Sequence, residues 1–147
     1  MKRITFVCLG NICRSPAAEY IFKHIIKQLN KENDYKVISR ATSYEEVGND
    51  IYPPMKRTLN SLGVKLNAHH ATRFSKDDYE NSDYIFYMEE TNLHNLKRIQ
   101  DDKDNKYHPI YQWSDGIYGI EDPWYSGRYE KVCEQITKCI KDILSHI

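Results

Sequence analysis

Hydrophobic and polar positions fall in blocks whose period switches repeatedly along the chain. The run Ile4-Thr5-Phe6-Val7 is apolar and β-branched and reads as a strand. Beyond a short polar loop, Ala18, Ile21, Phe22, Ile25, Ile26 and Leu29 recur at helical spacing, so residues 17–29 predict a helix with Pro16 suited to its first turn. Asn33-Asp34 breaks that helix, and residues 35–38 read as a second strand, parallel to the first because a helix crosses between them. Residues 39–52 show no period and predict an irregular stretch. Pro53-Pro54 then opens a helix with Met55, Leu59 and Leu62 on one side, and Gly63 closes it.

The second half continues the alternation. Residues 64–72 read as extended, and a short helix follows Ser75. Tyr84-Ile85-Phe86-Tyr87-Met88 is an unbroken aromatic and β-branched run, the pattern of a strand buried on both faces. A helix carrying Leu93, Leu96 and Ile99 comes next, then a polar turn over 101–106 and a shorter strand over 107–111. Residues 112–127 read as a loop rich in Gly, Asp and aromatics. The last helix carries an apolar stripe through Val132, Cys133, Ile136, Ile140, Ile143, Leu144 and Ile147. Cys133 and Cys139 lie on that helix and read as core. Strand and helix in alternation predict an α/β fold, a doubly wound four-stranded parallel sheet with helices on both faces, and residues 1–147 as a single domain. Ligands of such sheets sit at the carboxyl ends of the strands.

Composition narrows the function classes. Lys plus Arg and Asp plus Glu number 21 each, so no global charge draws the chain to nucleic acid or to an anionic membrane. The apolar run after Met1-Lys2-Arg3 is too short for an export signal, no segment reaches membrane-spanning length, and a cytoplasmic protein with reduced thiols is expected. The four cysteines lack zinc spacing and disulfide-scaffold density, and the six histidines are scattered, so neither a metal nor another cofactor is expected.

Chemistry concentrates in Cys8-Leu9-Gly10-Asn11-Ile12-Cys13-Arg14-Ser15-Pro16, between the first strand and the first helix. A tight loop ending at a helix N-terminus turns backbone N–H groups toward one point, where the helix dipole also favours an anion. This is the expected phosphate-binding loop after strand 1. Cys8 stands at the strand end, and Arg14 can fold back to fork two N–H groups onto phosphate oxygens. A helix N-terminus and a nearby arginine favour the thiolate of a cysteine, the reactive form. Ser15 can donate to the Cys8 sulfur or cap the helix.

These residues resemble the signature of the low-molecular-weight protein tyrosine phosphatases. Val7 to Pro16 matches it closely, Ala18-Glu19 continues it, and Asp122-Pro123-Trp124-Tyr125 resembles that family's general-acid loop. Thr42-Ser43, His69 and Met88-Glu89 also fall where the family has counterparts. The resemblance implies Cys8 as nucleophile, Arg14 and the loop amides as phosphate ligands, and Asp122 as general acid and then base. It further implies that Asn11 and Ser39 hold the loop, that Gly10 lets the backbone approach phosphate, and that Leu9, Ile12, Cys13, Ser15, Trp124 and Tyr125 shape the binding slot. Cys13 could protect Cys8 by a reversible disulfide. Ile12 stands where the similar phosphoarginine phosphatases have a threonine, and an apolar wall suits a phenyl ring. Departures from the pattern are Arg40-Ala41 in place of Ala-Gly, Glu45 in place of a rim aromatic, and Thr72-Arg73 in place of Arg-Gln.

The expectation is therefore a cysteine-dependent phosphatase acting on tyrosine-phosphorylated protein, for which bacterial members of the family often have a tyrosine kinase as partner. A monomer is the default. Phosphoarginine hydrolysis is the alternative substrate reading. An arsenate reductase on the same fold would need a resolving cysteine pair in a mobile segment, and no cysteine lies between Cys13 and Cys133. A non-catalytic phosphate-binding module would have no use for both a thiolate and an acid.

Overall fold

A strand buried on both faces sits at the centre of the molecule, in a computed structural model that describes all 147 residues. This strand, β1 (Lys2–Cys8), pairs in parallel with β2 (Tyr35–Ala41) on one side and with β3 (Tyr84–Tyr87) on the other. A short β4 (Tyr107–Pro109) completes the parallel sheet, in the order β2-β1-β3-β4. Between the strands run α1 (Arg14–Gln28), α2 (Pro53–Ser61), α3 (Lys76–Glu80) and α4 (Glu90–Ile99), and after β4 come α5 (Pro123–Ser126) and α6 (Tyr129–Leu144).

The period-two alternation of β1 and β3 divides the interior. Ile4, Phe6 and Cys8 of β1, with Phe86 of β3, face the larger core built with α1, α2 and α6. Val7, Ile85 and Tyr87 face the smaller core with Phe74, Tyr79 and Leu96 from the α3 and α4 side. The sheet is thus covered on both faces, which is why its central strands read as continuous apolar runs. Phe6 joins the layers, with ring centroids 5.9 Å from Phe22 of α1 and 5.8 Å from Phe86 of β3. Burial of each such ring stabilises the fold by about 1.5–3 kcal/mol.

The chain leaves β1 to one side for β2 and later returns to the other side for β3. Strand order therefore reverses at the carboxyl end of β1, where crossover helices on opposite faces leave a crevice. Cys8 ends β1 at that switch point, in register with Ala41.

Several boundaries differ from the sequence pattern. Helix α1 begins at Arg14 rather than beyond Pro16, so Ser15 lies inside the first turn and Cys13 occupies the cap position without a side-chain cap bond. Of the two roles open to Ser15, capping is excluded. Strand β2 runs on to Ala41 and includes Ser39, because its far end pairs with β1 and bridges Arg73. Met88 follows β3 as a fully buried residue outside the ladder. Leu62 falls after the last turn of α2 and is 51% exposed; Gly63, at φ 76°, takes the chain away before the side chain can reach the core. Strand β4 stops at Pro109, and the loop over 112–127 contains the single-turn helix α5. Cys133 and Cys139 are buried in the core face of α6, as the stripe predicts.

Candidate active site

The loop between β1 and α1 is held by its carbonyls. The Cys8 and Leu9 oxygens accept from Thr42 N–H at 3.0 and 3.2 Å, and Leu9 O also accepts from Ser43 N–H at 3.0 Å. Ile12 O accepts from Tyr52 N–H at 2.9 Å, and Asn11 O accepts from His69 Nε2 at 2.7 Å. A carbonyl only accepts, so Nε2 of His69 carries the hydrogen. With the oxygens engaged from outside, the N–H groups of Leu9, Gly10, Ile12, Cys13 and Arg14 make no hydrogen bond within the protein. Such a concave run of free amides at a helix N-terminus attracts anions.

Asn11 makes this shape possible. It sits in the left-handed region at φ 59°, a conformation that asparagine adopts more readily than most residues. Its amide is fully used: Nδ2 donates to Ser15 Oγ at 2.8 Å and Ser39 Oγ at 3.0 Å, and Oδ1 accepts from Thr72 N–H at 3.0 Å. Ser39 in turn donates to Glu19 Oε1 at 2.6 Å, and Lys23 holds the other oxygen of that carboxylate at 2.5 Å. The chain of bonds from α1 through β2 to the loop leaves Ser15 Oγ 3.0 Å from the Cys8 sulfur. Because Asn11 already donates to that hydroxyl, its own hydrogen points to an acceptor, and the sulfur is nearer than the Arg40 carbonyl at 3.4 Å. Cys8 Sγ also accepts from the N–H groups of Asn11 at 3.3 Å and Ser15 at 3.4 Å. Three donors thus converge on one sulfur.

Arg14 is 3% exposed and lies between acidic partners. It donates to Glu89 and to the Ile120 carbonyl, the latter at 2.9 Å, and its other terminal nitrogen is 3.6 Å from Asp122 Oδ2. Burial opposes its charge, but Cys8, Glu89 and Asp122 outweigh the burial and its pKa is raised. Asp122 caps α5, with Oδ1 accepting from Trp124 N–H at 3.0 Å. Burial, and then the neighbouring Cys8, pushes the Cys13 thiol up to about 12, so Cys13 is a neutral thiol at physiological pH.

These groups surround a cavity of about 200 Å3. Of the residues expected from sequence, Cys8, Leu9, Gly10, Ile12, Cys13, Arg14, Asp122, Trp124 and Tyr125 line it. Asn11, Ser15 and Ser39 lie behind it in the hydrogen-bond network just described. Glu45, which stands in place of a rim aromatic, and its neighbour Glu46 put two carboxylates at the mouth, and Glu89 orients Arg14. His69 fixes the loop at Asn11. In the sequence, the resemblance at Met88-Glu89 and His69 is the one signal for Glu89 and His69, and nothing marks Glu46. A Cβ on Gly10 would approach Glu46 Cγ to 3.3 Å, so a glycine there leaves room between the loop and its acidic neighbour. The arrangement can bind a phosphoryl group at the amides and Arg14, present sulfur to phosphorus, and hold a carboxyl group in the wall of the same cavity.

Comparison with known proteins identifies a family. A family model described as low molecular weight phosphotyrosine protein phosphatase matches residues 3–147. The chain is 39% identical to the protein of that name from Gallus gallus, over 98% of this chain and 94% of that protein. It is 38% identical to the one from Saccharomyces cerevisiae, over 96% and 92% respectively. Among solved structures, SP-PTP from Streptococcus pyogenes superposes with a TM-score of 0.90 at 33% identity, covering all of this chain and 93% of that one. YfkJ from Bacillus subtilis superposes with a TM-score of 0.94 at 28% identity, covering 99% and 93%.

Proposed function

The chain belongs to the low molecular weight phosphotyrosine protein phosphatase family, and from that premise we propose that residues 1–147 act as one catalytic domain hydrolysing phosphotyrosine in proteins through a phosphorylated Cys8. The observation that carries the reading is the sulfur of Cys8, which accepts three hydrogen bonds beneath a cavity also lined by Arg14 and Asp122.

In the first step the thiolate attacks phosphorus. The S–P bond forms as the P–O bond to the tyrosine ring breaks, and the protonated Asp122 gives its proton to the departing phenolic oxygen. Arg14 and the free amides of the loop hold the three equatorial oxygens, where negative charge is spread in the transition state. Substrate phosphate takes over guanidinium N–H groups that point toward Asp122, which frees that carboxyl group for the leaving oxygen. In the second step a water attacks phosphorus, Asp122 now takes the water's proton, the S–P bond breaks, and inorganic phosphate leaves with the thiolate restored. Each step exchanges one bond at phosphorus and one proton at Asp122.

The walls favour an aromatic ester. Ile12 and Leu9 present apolar surface above the loop, and Trp124 and Tyr125 flank the opening, so a phenyl ring is desolvated where a guanidinium group would find no acceptor at Ile12. A phosphoserine side chain is too short to bring its backbone clear of this rim.

The test is phosphate release from a phosphotyrosine peptide and from a phosphoarginine protein by the native chain and by Cys8→Ser. The proposal expects release from phosphotyrosine that is lost in the variant, as removal of a nucleophile costs several orders of magnitude. A preference for phosphoarginine would overturn the substrate assignment, and turnover that survives in Cys8→Ser would overturn the nucleophile.

A further inference from the structure

The segment that carries Asp122 is tied to the rest of the protein by little besides side chains. From Glu121 to Gly127 every backbone hydrogen bond closes within the segment: Tyr125 and Ser126 N–H donate to Asp122 O, and Gly127 N–H to Pro123 O. Glu121 pairs with Arg128 and Lys131, but those pairs are exposed and local. Pro123 is buried. Besides the Asp122 carboxylate 3.6 Å from Arg14, whose N–H groups substrate phosphate takes over, the non-local hold on α5 is the ring of Trp124, whose centroid lies 4.6 Å from that of Tyr52 at an interplanar angle of 48°. Tyr52 is itself backed by Tyr129 at the start of α6, with centroids 6.5 Å apart and rings inclined at 29°.

Tyr52 touches the other half of the site as well. Its backbone N–H donates to Ile12 O in the phosphate loop at 2.9 Å. It precedes Pro53, so its backbone is confined to the extended region, and its φ of −56° and ψ of 131° lie there. The side chain does not line the cavity around Cys8. Trp124, by contrast, donates its N–H to Asp122 Oδ1, so the placement of Trp124 sets the direction of the carboxyl group.

Taking the assignment of Asp122 as the acid as its basis, we propose that Tyr52 is a positioning residue for the reaction: its backbone fixes the phosphate loop, its ring fixes Trp124, and through Trp124 it sets the Asp122 carboxyl group at a defined distance from bound phosphate. Stacked or tilted aromatic pairs at this separation favour one geometry over a freely moving loop. Loss of the ring leaves the backbone bond to Ile12 and hence phosphate binding, while the acid loses its aim.

The readout is the dependence of kcat/KM on the basicity of the leaving group, since a general acid matters most when the departing oxygen is a strong base. Tyr52→Ala should lower kcat/KM for phenyl phosphate about tenfold while changing that for p-nitrophenyl phosphate by no more than about twofold, a part of the ~100-fold or larger effect of losing an acid outright. Tyr52→Phe keeps the ring and should behave as the native chain. Trp124→Ala removes the same contact together with one wall of the slot, so it should lower kcat/KM on both substrates but about tenfold further on phenyl phosphate, and it guards against a variant of Tyr52 that fails to fold. The double variant should lose no more than Trp124→Ala alone, because the shared contact is already gone. Equal losses on the two substrates in Tyr52→Ala, or no loss on either, would overturn the proposal. Asp122→Asn is measured alongside. A selective loss in Asp122→Asn without one in Tyr52→Ala overturns the positioning role alone, whereas no selective loss in Asp122→Asn overturns the acid assignment and the positioning role with it.

Discussion

Asn11 makes a demanding prediction, because its backbone and its side chain contribute to the loop separately. The side chain is fully buried and makes three hydrogen bonds, to Ser15, Ser39 and the Thr72 amide. At a net ~1 kcal/mol for each bond between uncharged groups, removal of the amide costs about 3 kcal/mol. The backbone at φ 59° adds about 1 kcal/mol for alanine over glycine, which occupies that region without strain. Asn11→Ala should therefore lose about 4 kcal/mol and Asn11→Gly about 3 kcal/mol, read from urea unfolding midpoints at constant slope. Both variants also lose the donor that leaves the Ser15 hydrogen directed at Cys8. The kcat/KM on a phosphotyrosine peptide should then fall about tenfold or more, the equivalent of one hydrogen bond to a charged sulfur. Losses under about 1 kcal/mol in both, or glycine costing more than alanine, would refute the reasoning that links the loop's shape to this residue.

Further outcomes follow from other parts of the structure. Burial pushes the phenols of Tyr20, Tyr79 and Tyr87 up to about 12 from an ordinary 10, so the stability that they confer is fully present below pH 10 and lost between pH 10 and 12; the midpoint of thermal unfolding should hold level up to that window and fall across it. Peroxide should oxidise Cys8 to a sulfenic acid, with which the Cys13 thiol condenses to a disulfide and water; added dithiol should then restore activity in the native chain and fail to do so in Cys13→Ser after prolonged exposure. Glu45 and Glu46 at the mouth should penalise acidic residues beside the phosphotyrosine, so Glu45→Lys should raise kcat/KM for an acidic peptide about threefold at low salt and by much less at 1 M salt, where the screening length is ~3 Å.

What could be read in the sequence was set by how local each feature is. The phosphate loop is contiguous, and strand, cysteine, arginine and helix lie within one short stretch, so spacing alone points to an anion site at the end of β1. The double-sided burial of β1 and β3 shows in the apolar runs of residues 4–7 and 84–88. Asp122 is different, because Asp-Pro is an ordinary turn opener, and only the resemblance paired it with Cys8. Glu89, His69 and Tyr52 act through contacts made by the sheet's topology, 75, 58 and 40 positions from their partners at Arg14, Asn11 and Ile12, and no periodicity reports such contacts. The start of α1 is hidden for a related reason: Pro16 is a good first-turn residue, but the loop's turn at Asn11 delivers the chain in helical geometry already at Arg14.

The central claim is a covalent bond between phosphorus and the Cys8 sulfur, and the most direct measurement is capture of that bond. The native chain would be mixed with a phosphotyrosine peptide, denatured within milliseconds at alkaline pH, digested and analysed by mass spectrometry. The mechanism predicts a single added phosphoryl group on the peptide that contains Cys8, with a burst of tyrosine peptide product matching the enzyme concentration when breakdown of the intermediate limits turnover. The label should be absent from Cys8→Ser. A phosphoryl group on any other residue, or turnover in which no phosphoenzyme forms at any quench time, would contradict it.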